Sequence, residues 1–402
     1  MHKEIEKNRI QVSLVEKIIE KTFVRSGLLT DFKLNKTTIS EPIRNKITSS
    51  FFLYEKLIQS LPKHKSVIDT KPYIVFGIVN FFYNIEEHEK AISYLNILLK
   101  KYPKSYKINL CKGFLCETIG RTHDAINCYD MILQNKKDDI DLLFRKAELL
   151  SLVKQHNSTL NCLDQILKIE PENIRALYNK GIVLSETSQY EKAISYHDRV
   201  IKINPKHIQA IYNKGLALES LHRYDEAIEC YDMISQLESR FVTSLYKKSI
   251  CLMNMDRLEQ AIQCYNEIIK INPKHIQAIY NKGLALESLH RYDEAIECYD
   301  MITCIEPKYG ETIFRKGRLL STIGNYDKAI ECYDMILQME PNNTNALYYK
   351  SYSLLRQGKK EESLRLIEHM LTIDKRYKRH ITNNNDFLNA IGTDEISRIA
   401  NY

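Results

Sequence analysis

The sequence predicts an all-α chain: a right-handed α-solenoid of about nine 34-residue helix–turn–helix repeats. Three observations predict it. Prolines stand at 103, 171, 205, 273, 307 and 341, with every gap 34 residues or twice 34. Small residues recur at two fixed places in that period, and apolar residues recur at two others. A fixed period of this length marks one supersecondary unit repeated along the chain.

With the proline at position 32, the units begin at 72, 106, 140, 174, 208, 242, 276, 310 and 344. Position 8 carries Val79, Gly113, Ala147, Gly181, Gly215, Ser249, Gly283, Gly317 and Ser351. Position 20 is Ala in seven units, from Ala91 to Ala329, with Thr159 and Ser363 in the others. Small residues at both places let two helices approach to about 8–10 Å or less. Position 11 is apolar or Cys, and position 27 is apolar throughout, from Leu98 to Met370. In the fifth unit Ile211, Leu218 and Leu221, then Ala227, Ile228, Tyr231 and Ile234, fall at helical spacing. Turn signals such as Asp256-Arg257, Gly324-Asn325 and Gly358-Lys359 divide the units in half, and the proline divides one unit from the next.

The segment Ile211-Tyr212-Asn213-Lys214-Gly215, followed by Tyr224, Ala227 and Tyr231 and by proline endings of the Pro273 kind, resembles the tetratricopeptide repeat family. The resemblance covers residues 72–377, three quarters of the chain. One departure is position 7, where the family has Leu and eight units here have Lys, among them Lys146, Lys214, Lys282 and Lys350. Those stems are expected to lie along the helix interface with the ammonium in water. Residues 201–234 and 269–302 are identical, an offset of two units. The duplication reads either as recent copying without functional content or as two equivalent binding surfaces for a repetitive partner.

The charge is uneven. Residues 1–71 carry 14 Lys/Arg against 8 Asp/Glu, while the rest carries 44 against 43. A nearly neutral array disfavours a nucleic-acid groove, which needs a concentrated cationic surface. Six of the ten cysteines occupy position 23 of their units, about 10 Å apart in stacked helix pairs. That separation exceeds the reach of a disulfide, about 7 Å between Cα atoms. No CxxC pair occurs, so reduced structural thiols and no metal are expected. The start of the chain, MHKEIEKNRI, lacks a secretory apolar core, and the uncharged stretch Pro72–Ile85 is too short to span a bilayer. The expectation is a cytoplasmic protein; export would need a non-classical route.

Residues 1–71 show helical stripes at 3–25 and 43–60, read as a capping segment or as a separate partner-binding helix pair. Residues 378–402 read as a C-terminal capping helix or tail, with a short helix at 386–399. No phosphate cradle, nucleophile elbow or zinc helix is present, and neither flank is large enough for a catalytic domain of roughly 100 residues. The expectation is a non-enzymatic chain without a cofactor.

The resemblance implies that the first helix of each unit lines a concave groove through positions 2, 5, 6, 9, 12 and 13. The candidate peptide-binding residues there are Arg145, Tyr178, Asn179, Tyr212, Asn213, Tyr246, Lys247, Tyr280, Asn281 and Arg315. Rings offer flat contact area at low entropy cost, and each Asn carries a donor and an acceptor for a peptide backbone. Arg and Lys interleaved with Asn favour an acidic segment or a terminal carboxylate. A two-carboxylate clamp of the kind some family members use for chaperone tails is disfavoured, since only Asn281 and Arg315 match it in the sixth to eighth units. The function expected is a scaffold that binds a peptide or protein segment in the groove. The alternative is a regulatory or adaptor subunit docking through its convex face and terminal helices onto an enzyme or secretion complex.

Overall fold

The structure, a computed structural model, describes residues 87–237 and 242–382 together with Phe387 and Ile391. The chain divides into two compact bodies, Met1–Gln189 and Tyr190–Tyr402. The first holds α1 (His88–Lys101), α2 (Tyr106–Thr118), α3 (Thr122–Leu133), α4 (Ile140–Leu152), α5 (His156–Ile169) and α6 (Ile174–Glu186). The second opens with α7 (Tyr190–Ile203), α8 (Ile208–Ser220), α9 (Tyr224–Leu237), α10 (Val242–Asn254), α11 (Leu258–Ile271) and α12 (Ile276–Ser288). It continues with α13 (Tyr292–Ile305), α14 (Gly310–Thr322), α15 (Tyr326–Met339), α16 (Thr344–Arg356), α17 (Lys360–Ile373) and α18 (Tyr377–Thr382). No strand occurs among the described residues. From Tyr106 onward each first helix fills positions 1–13 of its unit, and each second helix fills positions 17–30 except α3, which ends at position 28, so the proline ruler marks the true repeat boundary. Within each body consecutive helices stack as an α-solenoid. The readings for residues 1–71, and for the first helix of the unit beginning at 72, lie outside the described residues.

The turns follow from local chemistry. The side chain at position 34 caps the next first helix at Asp139, Asn173, His207, His275 and Asn343, but not at Ser105 or Tyr309. Asp139 accepts from the Leu142 amide at 3.1 Å, Asn173 from Ala176 at 3.0 Å, and His207 Nδ1 from Ala210 at 3.2 Å. Orphan amides at a helix start are satisfied in this way. Between the two helices, position 15 is left-handed in every described unit: Gly120, Gly324 and Gly358 near φ 80°, and Lys154, Ser188, His222, Asp256 and His290 near φ 58°. The next amide then reaches back to the carbonyl of position 11, as Arg223 does to Leu218 at 2.9 Å. This closes the helix in a Schellman turn.

The core is built from the recurring positions. Ala91, Ala125, Ala193, Ala227, Ala261, Ala295 and Ala329 are all fully buried, as are Leu98, Ile166, Ile234, Ile268 and Ile302 at position 27. At Gly113, Gly215, Gly283 and Gly317 position 8 is small because a tyrosine ring at position 24 lies over it. A Cβ on Gly215 would meet the Tyr231 ring at 2.8 Å, and one on Gly283 would meet Tyr299 at 2.7 Å. Both tyrosines are completely buried.

Two ionic ladders tie successive units. Lys at position 7 meets Asp at position 25 of the unit before: Lys146–Asp130, Lys180–Asp164, Lys214–Asp198, Lys248–Asp232, Lys316–Asp300 and Lys350–Asp334. The ammonium expected in water is therefore held by a carboxylate in all six. Arg at position 16 meets an acid at position 18 of the unit before, in Arg121–Glu89, Arg223–Glu191, Arg257–Asp225 and Arg291–Glu259. At the C-terminal end Phe387 and Ile391 are buried in one cluster with Leu347, Ile367, Met370 and Ile381.

Candidate peptide-binding face

All ten candidate residues sit on first helices, at positions 5 and 6. In the first body these are Arg145 on α4 and Tyr178 and Asn179 on α6. The Arg145 guanidinium lies 4.5 Å over the Phe114 ring and bonds Glu117 at 3.3 Å, while Tyr178 and Asn179 are half-buried.

In the second body Tyr212 and Asn213 lie on α8, Tyr246 and Lys247 on α10, Tyr280 and Asn281 on α12, and Arg315 on α14. All seven are half-buried. Each ring packs on the position-24 ring of its own unit, with centroids 6.0 Å apart for Tyr212–Tyr231, 6.4 Å for Tyr246–Tyr265 and 6.1 Å for Tyr280–Tyr299. One edge of each ring is thus committed to the helix pair. The hydroxyls tie one unit to the next. Asn281 Nδ2 donates to the Tyr246 hydroxyl at 3.0 Å, and Arg315 Nε donates to the Tyr280 hydroxyl at 2.7 Å. Tyr280 in turn donates to Glu311 at 3.2 Å. Position 9 adds Leu216, Ile250 and Leu284, all half-buried, to the same helical face.

Behind this row lies a relay absent from the sequence expectation. A buried Tyr at position 24 donates to Glu at position 12, and that Glu also receives the position-6 cation of the next unit. It occurs three times. Tyr129 donates to Glu117 at 2.6 Å beside Arg145, and Tyr231 donates to Glu219 at 2.6 Å with Lys247 3.2 Å away. Tyr299 donates to Glu287, whose carboxylate stands 3.7 Å from Arg315. Burial, and then the hydrogen bond to Glu219, push the Tyr231 hydroxyl well above the usual phenol range. It remains a donor at all ordinary pH. The clue was legible: Glu117, Glu219 and Glu287 each precede a tyrosine by 12 residues and a cation by 28.

The face can donate and accept hydrogen bonds and can offer ring and aliphatic surface. Among the described residues no group of three metal-ligating side chains comes together, and no helix is long and apolar enough to cross a membrane. Nine cysteines are buried, and Cys304 is exposed. Burial raises the Cys111 and Cys251 thiols to about 12 and the Cys230 thiol to about 11, which leaves them poor nucleophiles.

Residues 174–282 match the family described as Psidin, N-terminal TPR repeats region, and residues 76–105, 276–301 and 314–374 match tetratricopeptide repeat families. No curated protein matches the sequence. Similar solved structures include YrrB, described as a TPR protein with an unusual peptide-binding site, at 19% identity over 47% of this chain and 97% of that one, with a TM-score of 0.40. A tetratricopeptide repeat protein from Parabacteroides merdae is 14% identical over 65% of this chain and 97% of that one, with a TM-score of 0.43. The complex of Naa15/Naa10 bound to HypK-THB is similar at 14% identity over 87% of this chain and 65% of that one, with a TM-score of 0.49. Repeat period, helix register and family matches agree, and the chain is a tetratricopeptide repeat protein.

Proposed function

We propose that this protein is a non-catalytic scaffold whose first-helix face on α8, α10, α12 and α14 holds an extended peptide or protein segment. Tetratricopeptide repeats are a protein-interaction fold and are generally non-enzymatic, which supports the broad reading. The observation that carries the finer one is the row running from Tyr212 and Asn213 to Arg315. Its rings are pinned by packing and its amides and hydroxyls are linked from unit to unit, so little side-chain entropy remains to be lost on binding.

The grip belongs to amides, rings and position-9 aliphatics. Lys247 and Arg315 each face a resident carboxylate, Glu219 and Glu287. An acidic ligand would therefore compete with groups already there, and the acidic preference expected from the cations alone loses its basis. The segment favoured is extended, with exposed backbone amides and apolar side chains.

Photo-crosslinking tests this reading. A benzophenone amino acid placed at Ser220 or Ser288, both exposed at position 13 of a first helix, should capture a partner in lysate from the native cell. The same group at Gln263, exposed on the second helix α11, should not capture that partner. Capture at Gln263 alone would remove the face from the proposal.

A further inference from the structure

The second helices of the last units carry a surface that the first-helix face does not use. On α13 Met301 is 38% exposed with Ile305 half-buried four residues on, and on α15 Met335 is 42% and Met339 38% exposed. Spacing of four places each pair on one side of its helix. One turn earlier on each helix stand Glu297 and Glu331, and just past each helix end stand Glu306 and Glu340, all exposed. Among the described residues Glu297, Glu306 and Glu331 make no ion pair, and Glu340 receives only the neutral Asn343 amide at 2.8 Å. Lys308 and Lys328 are the amines nearest in sequence, and Lys316 is held by Asp300, so the four carboxylates remain in excess.

Among the other described second helices only α9 repeats this combination, with Glu229 exposed, Met233 39% and Leu237 40% exposed, so α13 and α15 are the consecutive pair that carries it. The matching stretch of α7 has Arg199 and Ile203 with Lys202 and Lys206 close by, and that of α11 has Glu267 and Ile271 with Lys270 and Lys274. Methionine stands in place of that charged residue on α9, α13 and α15, and the flanking lysine at position 29 gives way to Gln236, Cys304 and Gln338. Flexible, polarizable methionines suit a surface that adapts to a partner, and exposed apolar side chains rimmed by polar ones mark interaction sites.

The geometry points to a docking site on α13 and α15 for a basic amphipathic helix of a partner protein. Two apolar pairs on consecutive second helices match the i, i+4 anchors of such a helix. Glu297, Glu306, Glu331 and Glu340 complement lysines or arginines along its polar edges.

The probe is a synthetic amphipathic peptide of about 18 residues, five turns of helix, with leucine on one face and lysine on the other. Its control has glutamate in place of lysine. The full chain, labelled with carbon-13 at the methionine methyls, is titrated with each. The leucine–lysine peptide should bind saturably and shift the Met301 and Met335 methyl signals. Met301→Gln with Met335→Gln should weaken it by about tenfold or more, the effect of withdrawing two buried methionine side chains. Glu297→Gln with Glu331→Gln should weaken it and flatten its salt dependence. Circular dichroism checks that the variants remain folded, and the methyl shifts of the unaltered chain stand independently of them. Equal affinity for the leucine–glutamate peptide, or unmoved Met301 and Met335 signals, would overturn the proposal. So would concentration-dependent dimerisation abolished by the methionine variants, which would assign the patch to a second copy of the chain.

Discussion

Residues 201–234 and 269–302 are the same 34 amino acids in two settings. Where a side chain's partner lies inside the segment, the two copies are built alike. His222 and His290 take φ 58° and each ring meets a tyrosine hydroxyl at 2.7 Å. Arg223 and Arg291 bond Glu226 and Glu294 at 2.6 Å, and both glycines lie under a buried tyrosine. Where the partner lies outside, the copies diverge. The first copy is tied to its neighbours through Lys214–Asp198, Arg223–Glu191, Lys247–Glu219 and Arg257–Asp225. Lys248–Asp232 and its counterpart Lys316–Asp300 are kept in both copies, but in the second Lys282 and Asp293 stand opposite Asn266 and Asn325, leaving Arg291–Glu259 and Arg315–Glu287 besides Lys316–Asp300. Thirty-four residues therefore specify the helix pair, while the number of ties between pairs is set by neighbours.

If that division holds, a change inside the segment should cost the same in both copies. Tyr231→Ala and Tyr299→Ala each empty a fully buried ring site and should cost about 3–5 kcal/mol. Protection from hydrogen exchange should fall in the altered unit and its immediate neighbours, because a solenoid couples mainly adjacent repeats. Unequal costs in the two copies would break the comparison.

The unit before the first copy sharpens it, because His197 occupies the place of Tyr231 and is completely buried. Burial, the main cause, lowers its pKa from 6.5 to about 4, with Asp198 opposing and His207 adding to the shift. A depressed histidine contributes stability that is full above pH 6.5 and lost as pH falls toward 4, a loss of about 3 kcal/mol. Denaturant midpoints for this region should drop over that window, and His197→Tyr should remove the drop.

Gly215→Ala and Gly283→Ala should each destabilise by up to about 2 kcal/mol. Overpacking against the ring costs roughly 1–3 kcal/mol, partly offset by the roughly 1 kcal/mol that Ala gains over Gly in a helix. Again the copies should agree. The smallest effect is the one that should differ between them. Lys214→Met should cost up to about 1 kcal/mol, the range for a part-exposed ion pair, and Lys282→Met close to nothing. Denaturation midpoints of the two variants check it.

Much of this was legible in the sequence. The prolines, the small residues at positions 8 and 20 and the apolar residues at 11 and 27 are constraints within one unit, and a 34-residue period displays them directly. The candidate face was legible as a set of positions but not as a network. Glu311, four residues before Arg315 and 2.9 Å from it, is a pair that spacing alone displays, whereas nothing local shows that Glu287 also stands by Arg315, or Glu219 by Lys247, the carboxylate in each case 28 residues earlier. The position-7 lysines looked like a departure when read alone; their Asp partners stand 16 residues earlier, in the preceding unit. Left-handed Lys154, Ser188 and His222 were hidden for another reason. Glycine announces that geometry at Gly324 and Gly358, whereas other residues are held in it by the turn around them.

Binding is where the two copies bear most directly on function. Asn213 and Asn281 are the same residue of the same segment, one in each copy, and a segment lying along the second body's first helices would meet both. The decisive measurement is the affinity of the partner captured at Ser220 or Ser288 for the unaltered chain, for Asn213→Ala and for Asn281→Ala. Loss of an amide contact should cost ~0.5–1.5 kcal/mol in each, about two- to tenfold in Kd, with helicity unchanged and melting lowered slightly in Asn281→Ala, which also loses its bond to the Tyr246 hydroxyl. Unchanged affinity in both variants would contradict a binding role for this face.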